Sequence, residues 1–207
     1  MAESKGVAWP ELIARMEVLN AEATKVLPQF FPASPASAGA STDGLAAAEA
    51  RLGHALDPLH AELLLAANGW PHTVLVDGTL FGTDELGQAE LWNVAVEGIE
   101  IAYDEAAYGE PGDEWPPQEE IYVIAAFPFE RHIVAIWRNG PLTNGGHPVL
   151  WFDGEITERW DNVAQWWAGM LTSRRRVIDG LLERRGGGAG RGLAALPMER
   201  TRPGSDP

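Results

Sequence analysis

Apolar positions in the first segment recur at helical steps. Between Pro10 and Leu27, the residues Leu12, Met16, Leu19, Ala23 and Val26 fall at intervals of four and three, which predicts an amphipathic helix with proline at its start. "PQFFPASPASAGAST" follows, a Pro/Ser/Ala/Gly linker over 28–41 with little capacity to pack. Residues 1–27 are therefore expected as an addition to a main domain that spans 42–185. That domain opens with Leu45, Ala48 and Leu52 on one face of a short helix closed by Gly53. Asp57 reads as an N-cap and Pro58 as the first position of the next helix. Leu59, Leu63, Leu64 and Ala67 share its face. Asn68-Gly69 is expected as its left-handed C-terminal cap, since Pro71 forbids continuation.

Beyond that point the period falls to two or to short apolar runs. "TVLVDG" (73–78) predicts a strand and turn, with "TLFG" its short partner. Residues 84–109 are ambiguous, with helix-like spacing at Ile99, Ala102, Tyr103 and Ala106. "YGEPGDEWPPQEE" (108–120) is an acidic, proline-rich loop. "IYVIAAF" and "HIVAIW" predict one hairpin, while "PVLWF" and "EITERW" predict a second across Asp153-Gly154. A last helix is expected from Asp161, burying Val163, Trp166, Trp167, Met170 and Leu171 and extending toward Leu182. From Gly186 a glycine-rich tail is expected to be disordered. The change of period from 3.6 to 2 and back predicts an α+β fold: two helices packed on a mostly antiparallel sheet, closed by a C-terminal helix.

Composition narrows the chemistry. The 207 residues include no cysteine, which removes disulfides and thiolate chemistry together. No apolar run approaches the roughly 20 residues of a membrane span. The N-terminal stretch has neither a basic n-region nor a long apolar h-region, so a cytoplasmic protein is expected, with export lacking a cleaved signal left open. Lysine-poor, Ala/Gly/Arg-rich usage points to a GC-rich bacterial genome.

Charge is the strongest compositional signal. The net charge is −15, and residues 52–130 hold 16 acids with no lysine or arginine. Residues 171–207 instead hold 8 basic and 4 acidic residues. An acidic field of this kind repels nucleic acid and anionic lipid and attracts a basic partner, although solubility alone also accounts for acidic surfaces.

No catalytic constellation emerges. There is no G-x-S-x-G elbow, and the serines lie almost entirely in termini and linker. His54, His60, His72, His132 and His147 are scattered, with no H-E-x-x-H or other close ligand pair. The tail glycines follow no strand, so they cannot cradle a phosphate in the usual way. Glu119 and Glu120 are expected on a strand edge facing opposite ways, unsuited to cooperate as a carboxylate pair. Neither cofactor nor metal is expected. Of the tryptophans, Trp151, Trp166 and Trp167 fall on core periods. Trp70, Trp92 and Trp115 lie at loops or element ends, where a ring either lids the core or anchors a partner.

The run "AEARLGHALDPLHAELLLAANGW" resembles the N-terminal signature of the SUKH superfamily, named in part for the yeast cell-wall-assembly regulator. The matching residues are Glu49, Leu52-Gly53, Leu56, Leu63-Leu64 and Asn68-Gly69, with Pro58 one place later than in the pattern. "PVLWFDGEITERWDNVAQWWAGML" resembles the closing strands and helix of the same family. The resemblance spans roughly residues 42–172. It implies a protein-binding α+β domain without catalytic residues, whose bacterial relatives are mostly immunity proteins that neutralise toxins, often nucleases.

These readings converge on a non-enzymatic partner of a basic toxin domain. The expected binding site is Asp104, Glu105, Glu110, Asp113, Glu114, Glu119 and Glu120, flanking Trp115 as an aromatic anchor. The same loop also reads as a solvated insertion. A scaffold of the same fold and a metal-dependent hydrolase built from histidines and carboxylates stand as alternatives.

Overall fold

The computed structural model describes residues 7–108, 115–128 and 131–186. Five α-helices and one six-stranded antiparallel sheet make up these residues, giving the expected α+β class. The helices are α1 (Trp9–Val26), α2 (Thr42–Leu52), α3 (Pro58–Ala66), α4 (Glu90–Tyr108) and α5 (Val163–Gly186). The strands are β1 (Trp70–Val74), β2 (Gly78–Leu80), β3 (Ile121–Ala126), β4 (His132–Trp137), β5 (Val149–Asp153) and β6 (Ile156–Trp160). Spatial order follows chain order, so the sheet is a meander from which α4 departs between neighbouring strands β2 and β3.

Helices cover both faces of the sheet. Antiparallel partners project to the same side, so Tyr122, Ile136 and Val149 form one row, with Val134 and Trp151 on the same face. Tyr122 reaches α3 there, through a bond from the Asp57 amide. Ile133 and Phe152 face the opposite way, toward α4, where a Cβ on Gly98 would stand 2.8 Å from Ile133 Cδ1. Central strands covered twice read as continuous apolar runs, which is why "IYVIAA" shows no alternation. β6 is mostly exposed along its length.

Both predicted hairpins form, and Gly154 takes a positive φ of 74° at the Asp-Gly turn. The ambiguous stretch 84–109 resolves, over its described residues 84–108, into a turn followed by α4. The last helix starts two residues later than expected. Asn162 caps it by accepting from the Gln165 amide (3.0 Å), and Gln165 reaches back to the Asp161 amide (3.0 Å).

Residues 7–41 depart most from expectation. α1 packs lengthwise on α5 and against α3, burying Trp9, Ile13, Met16, Leu19 and Ala23 in the common core, with Val26 buried at its end. Trp9 meets Trp167 edge-on at 6.4 Å and donates to Glu62. The linker packs as well. Phe31 is buried, the Ala40 amide donates to the Leu64 carbonyl, and the Ala38 carbonyl accepts from the Asn68 amide. Small residues let this segment lie against α3: a Cβ on Gly39 would fall 2.0 Å from the Leu65 carbonyl oxygen. Its composition read as flexible because, apart from Phe31, backbone bonds and close approach rather than side-chain bulk hold it. The expected tail beyond Gly186 lies outside the described residues.

Candidate functional site

The residues of the N-terminal signature build the frame. Glu49 accepts from the Leu56 amide (3.0 Å), and Gly53 ends α2 in the left-handed region at φ 74°. Leu56, Leu63 and Leu64 are buried, Leu52 is half-buried, and Pro58 occupies the first turn of α3. Asn68-Gly69 is not the helix cap expected. The cap position is Ala67, in extended conformation, and Gly69 reaches its positive φ of 82° two residues further on. Asn68 instead grips the loop before α4: its Oδ1 accepts from the Thr83 amide (2.7 Å) and its Nδ2 donates to Thr83 Oγ1 (3.1 Å). Gly69 is needed for close approach, since a Cβ there would lie 2.6 Å from the Gly82 nitrogen. Arg51, which the sequence reading passed over, donates to the Thr83 and Leu86 carbonyls from the other side.

The histidines are less scattered than their spacing suggests. Asp57, buried and capping α3, accepts from the His60 amide (3.0 Å), the His147 amide (2.8 Å) and His147 Nδ1 (3.0 Å). His60 Nδ1 lies 3.1 Å from the Tyr122 hydroxyl, and the His54 ring packs on Tyr122 at 5.0 Å. Burial pushes His60 down to about 3. Burial above all, with the charges of Asp57 and Glu49 adding, holds the Tyr122 phenol well above its usual range. A neutral imidazole and a protonated phenol suit a static lock between α3, β3 and the loop before β5, in which His60 Nδ1 is bonded and the buried Nε2 has no hydrogen-bond partner. Among the described residues, no group of three or more His, Asp or Glu is arranged to hold a metal ion.

The expected acidic site divides. Asp104 and Glu105 are exposed on α4, and Glu105 pairs with Arg131 at 3.6 Å. Glu110, Asp113 and Glu114 lie outside the described residues. Trp115 is half-buried rather than a free anchor: its ring stands edge-on to Tyr103 (4.7 Å) and to Phe152 (5.9 Å). Glu119 and Glu120 sit on one 3₁₀ turn before β3, not on the strand. Glu119 is exposed, whereas Glu120 accepts from Trp137 Nε1 (2.8 Å). Hydrogen bonds from Trp137 and Asn139 lower the Glu120 carboxyl below its usual range. Trp70 is wholly buried, donating to the Ser34 carbonyl, and Trp92 is half-buried, donating to the Val123 carbonyl.

What the sequence reading missed is the outer face of α4. Glu90, Glu97, Glu100, Asp104 and Glu105 are exposed there with no basic residue anywhere on the helix. Two large aliphatic residues share that face, Val94 at 55% and Ile101 at 49% exposure. They are two turns apart and so lie on one stripe. The signal was present in the sequence as a seven-residue spacing, but the helix that gives the spacing meaning had not been assigned. No protein-family model matches the chain, and no curated protein matches it either.

Proposed function

We propose that the chain is a non-enzymatic protein-binding domain of SUKH type, an immunity protein that occupies a basic, nuclease-type toxin domain. The observation that carries this reading is the outer face of α4. Like charges at Glu100 and Asp104, four residues apart, each cost a helix a few tenths of a kcal/mol. Acids near the C-terminal end, where α4 has no basic residue, oppose the helix dipole as well. Exposed Val94 and Ile101 add an apolar element that solubility does not require. A basic protein surface would relieve the first two costs and cover the third. The resemblance over 42–172 supports the same reading, because the signature residues serve the frame and leave recognition to the surface.

The test is co-expression with the product of the adjacent reading frame. The chain should suppress that product's toxicity and co-purify with it at a fixed ratio. A wild-type chain that neither binds nor protects overturns the proposal. A stoichiometric transition metal in the purified protein would overturn its non-enzymatic part.

A further inference from the structure

Between α4 and the sheet face it covers runs a groove of about 210 Å³. Its apolar lining includes Val94 and Ile101 from α4, Ala126 at the end of β3 and Phe127 just after it, Ile133 of β4 and Phe152 of β5. Glu97 and Glu105 stand on the rim, with Arg131 opposite. The volume is below the roughly 300–1,000 Å³ of small-molecule pockets, and suits a side chain better than a cofactor.

We infer that this groove docks a basic amphipathic segment of a partner protein, seating an aliphatic side chain between Val94 and Ile101 with a lysine or arginine on each flank. The inference rests on the protein-binding reading above and names where and how it is met. Charge complementarity selects the occupant. Glu90, Glu97, Glu100 and Asp104 form no ion pair with any described residue, so the rim is acidic along the length of α4. Arg131 already shows what the rim accepts: its guanidinium lies 3.6 Å from Glu105 while both side chains stay more than half exposed. So exposed a pair is weak and exchangeable, and an incoming cation can take its place. The apolar floor then supplies what charge cannot, a fixed depth and register for the segment.

Two labelled peptides provide the probe: a lysine/alanine helix carrying two leucines four residues apart, and the same peptide with both leucines replaced by serine. With the full chain, the leucine peptide should bind at least tenfold tighter, shifting the methyl resonances of Val94, Ile101 and Ile133. Val94→Ser and Ile101→Ser should together weaken it about tenfold, while Leu142→Ser, exposed elsewhere at 65%, should change nothing. Both groove residues are half exposed, so an unchanged melting temperature will certify the fold of the variants. Equal binding of the two peptides, or methyl shifts away from the groove, overturns the inference. If Arg191→Ser, Arg200→Ser and Arg202→Ser together tighten peptide binding tenfold, the chain's own C-terminal segment is the occupant and the partner assignment falls. Groove variants that still neutralise a bound toxin at full strength sink the groove and spare the immunity reading. Leucine-dependent binding by a chain that neutralises nothing sustains the groove and sinks that reading.

Discussion

Two glycines with the same backbone sign make unlike demands. Gly53 has φ 74° and open space around its missing Cβ, so Gly53→Ala should cost about 1 kcal/mol from conformation alone. Gly69 has φ 82° and also faces Gly82 at 2.6 Å, so Gly69→Ala adds about 1–3 kcal/mol of overpacking. Urea denaturation of the two variants checks the difference, and equal midpoints would remove the close-approach argument. His60 makes a prediction about pH. Its folded value of about 3 lies below the unfolded 6.5, so the unfolded chain takes up a proton first as pH falls. The contribution is therefore whole above pH 6.5 and is lost through the window down to about 3, by at most roughly 1.4 kcal/mol per pH unit. His60→Phe should flatten the acid limb of a stability–pH profile in that window. An unchanged slope would show that other groups carry the acid sensitivity.

At the level of elements, α1 and the linker decide whether residues 7–41 are part of the fold. Trp9 is buried against Trp167 and bonded to Glu62, so Trp9→Ala should destabilise the whole domain by about 3–5 kcal/mol in one cooperative transition. A separate early transition for α1, with the main midpoint unmoved, would instead restore the picture of an attached helix. β1 is held by an unusual device. It kinks at His72 (φ 56°), and the buried Arg174 of α5 donates to the His72 and Thr73 carbonyls while lying 4.9 Å from the Phe31 ring. Burial lowers Arg174 to about 10, which leaves it charged at neutral pH. Arg174→Met keeps the bulk but strands the buried Thr73 carbonyl, at about 1–3 kcal/mol, and loses the bond to the part-buried His72 carbonyl. Thermal melting measures that loss, and a neutral outcome would mean water serves the kink equally well.

Across the whole molecule the charge is one-sided. The segment 52–130, which contains α4, holds 16 acids and no lysine or arginine of its own. Association with a basic partner should therefore be fast at low salt and slow markedly near physiological ionic strength, where screening acts beyond about 8 Å. Glu97→Gln with Glu100→Gln should reduce the association rate and flatten its salt dependence, with the dissociation rate little changed. Stopped-flow kinetics at two salt concentrations would read both effects. A salt-independent rate would leave the acidity to solubility.

The sequence by itself determined what depends on neighbours along the chain. The period of the apolar residues marked α2, α3, both hairpins and α5, because a helix face or a strand face is written in consecutive residues. Asp57 before Pro58 and Gly53 after Leu52 marked helix ends, because caps act within one turn. Tertiary structure decided whatever depends on contact between distant residues. Ala38 and Ala40 bond through their backbones to Asn68 and Leu64, and Gly39 lies close against Leu65, none of which composition records. Asp57, which caps its own helix at His60, also gathers His147 from ninety residues away, and no spacing announces that second meeting. Trp115 turned inward to Tyr103 and Phe152, which removed the anchor that the acidic loop had suggested. Val94 and Ile101 became a feature once α4 lay on the sheet, since exposure belongs to the packed molecule and not to the residue.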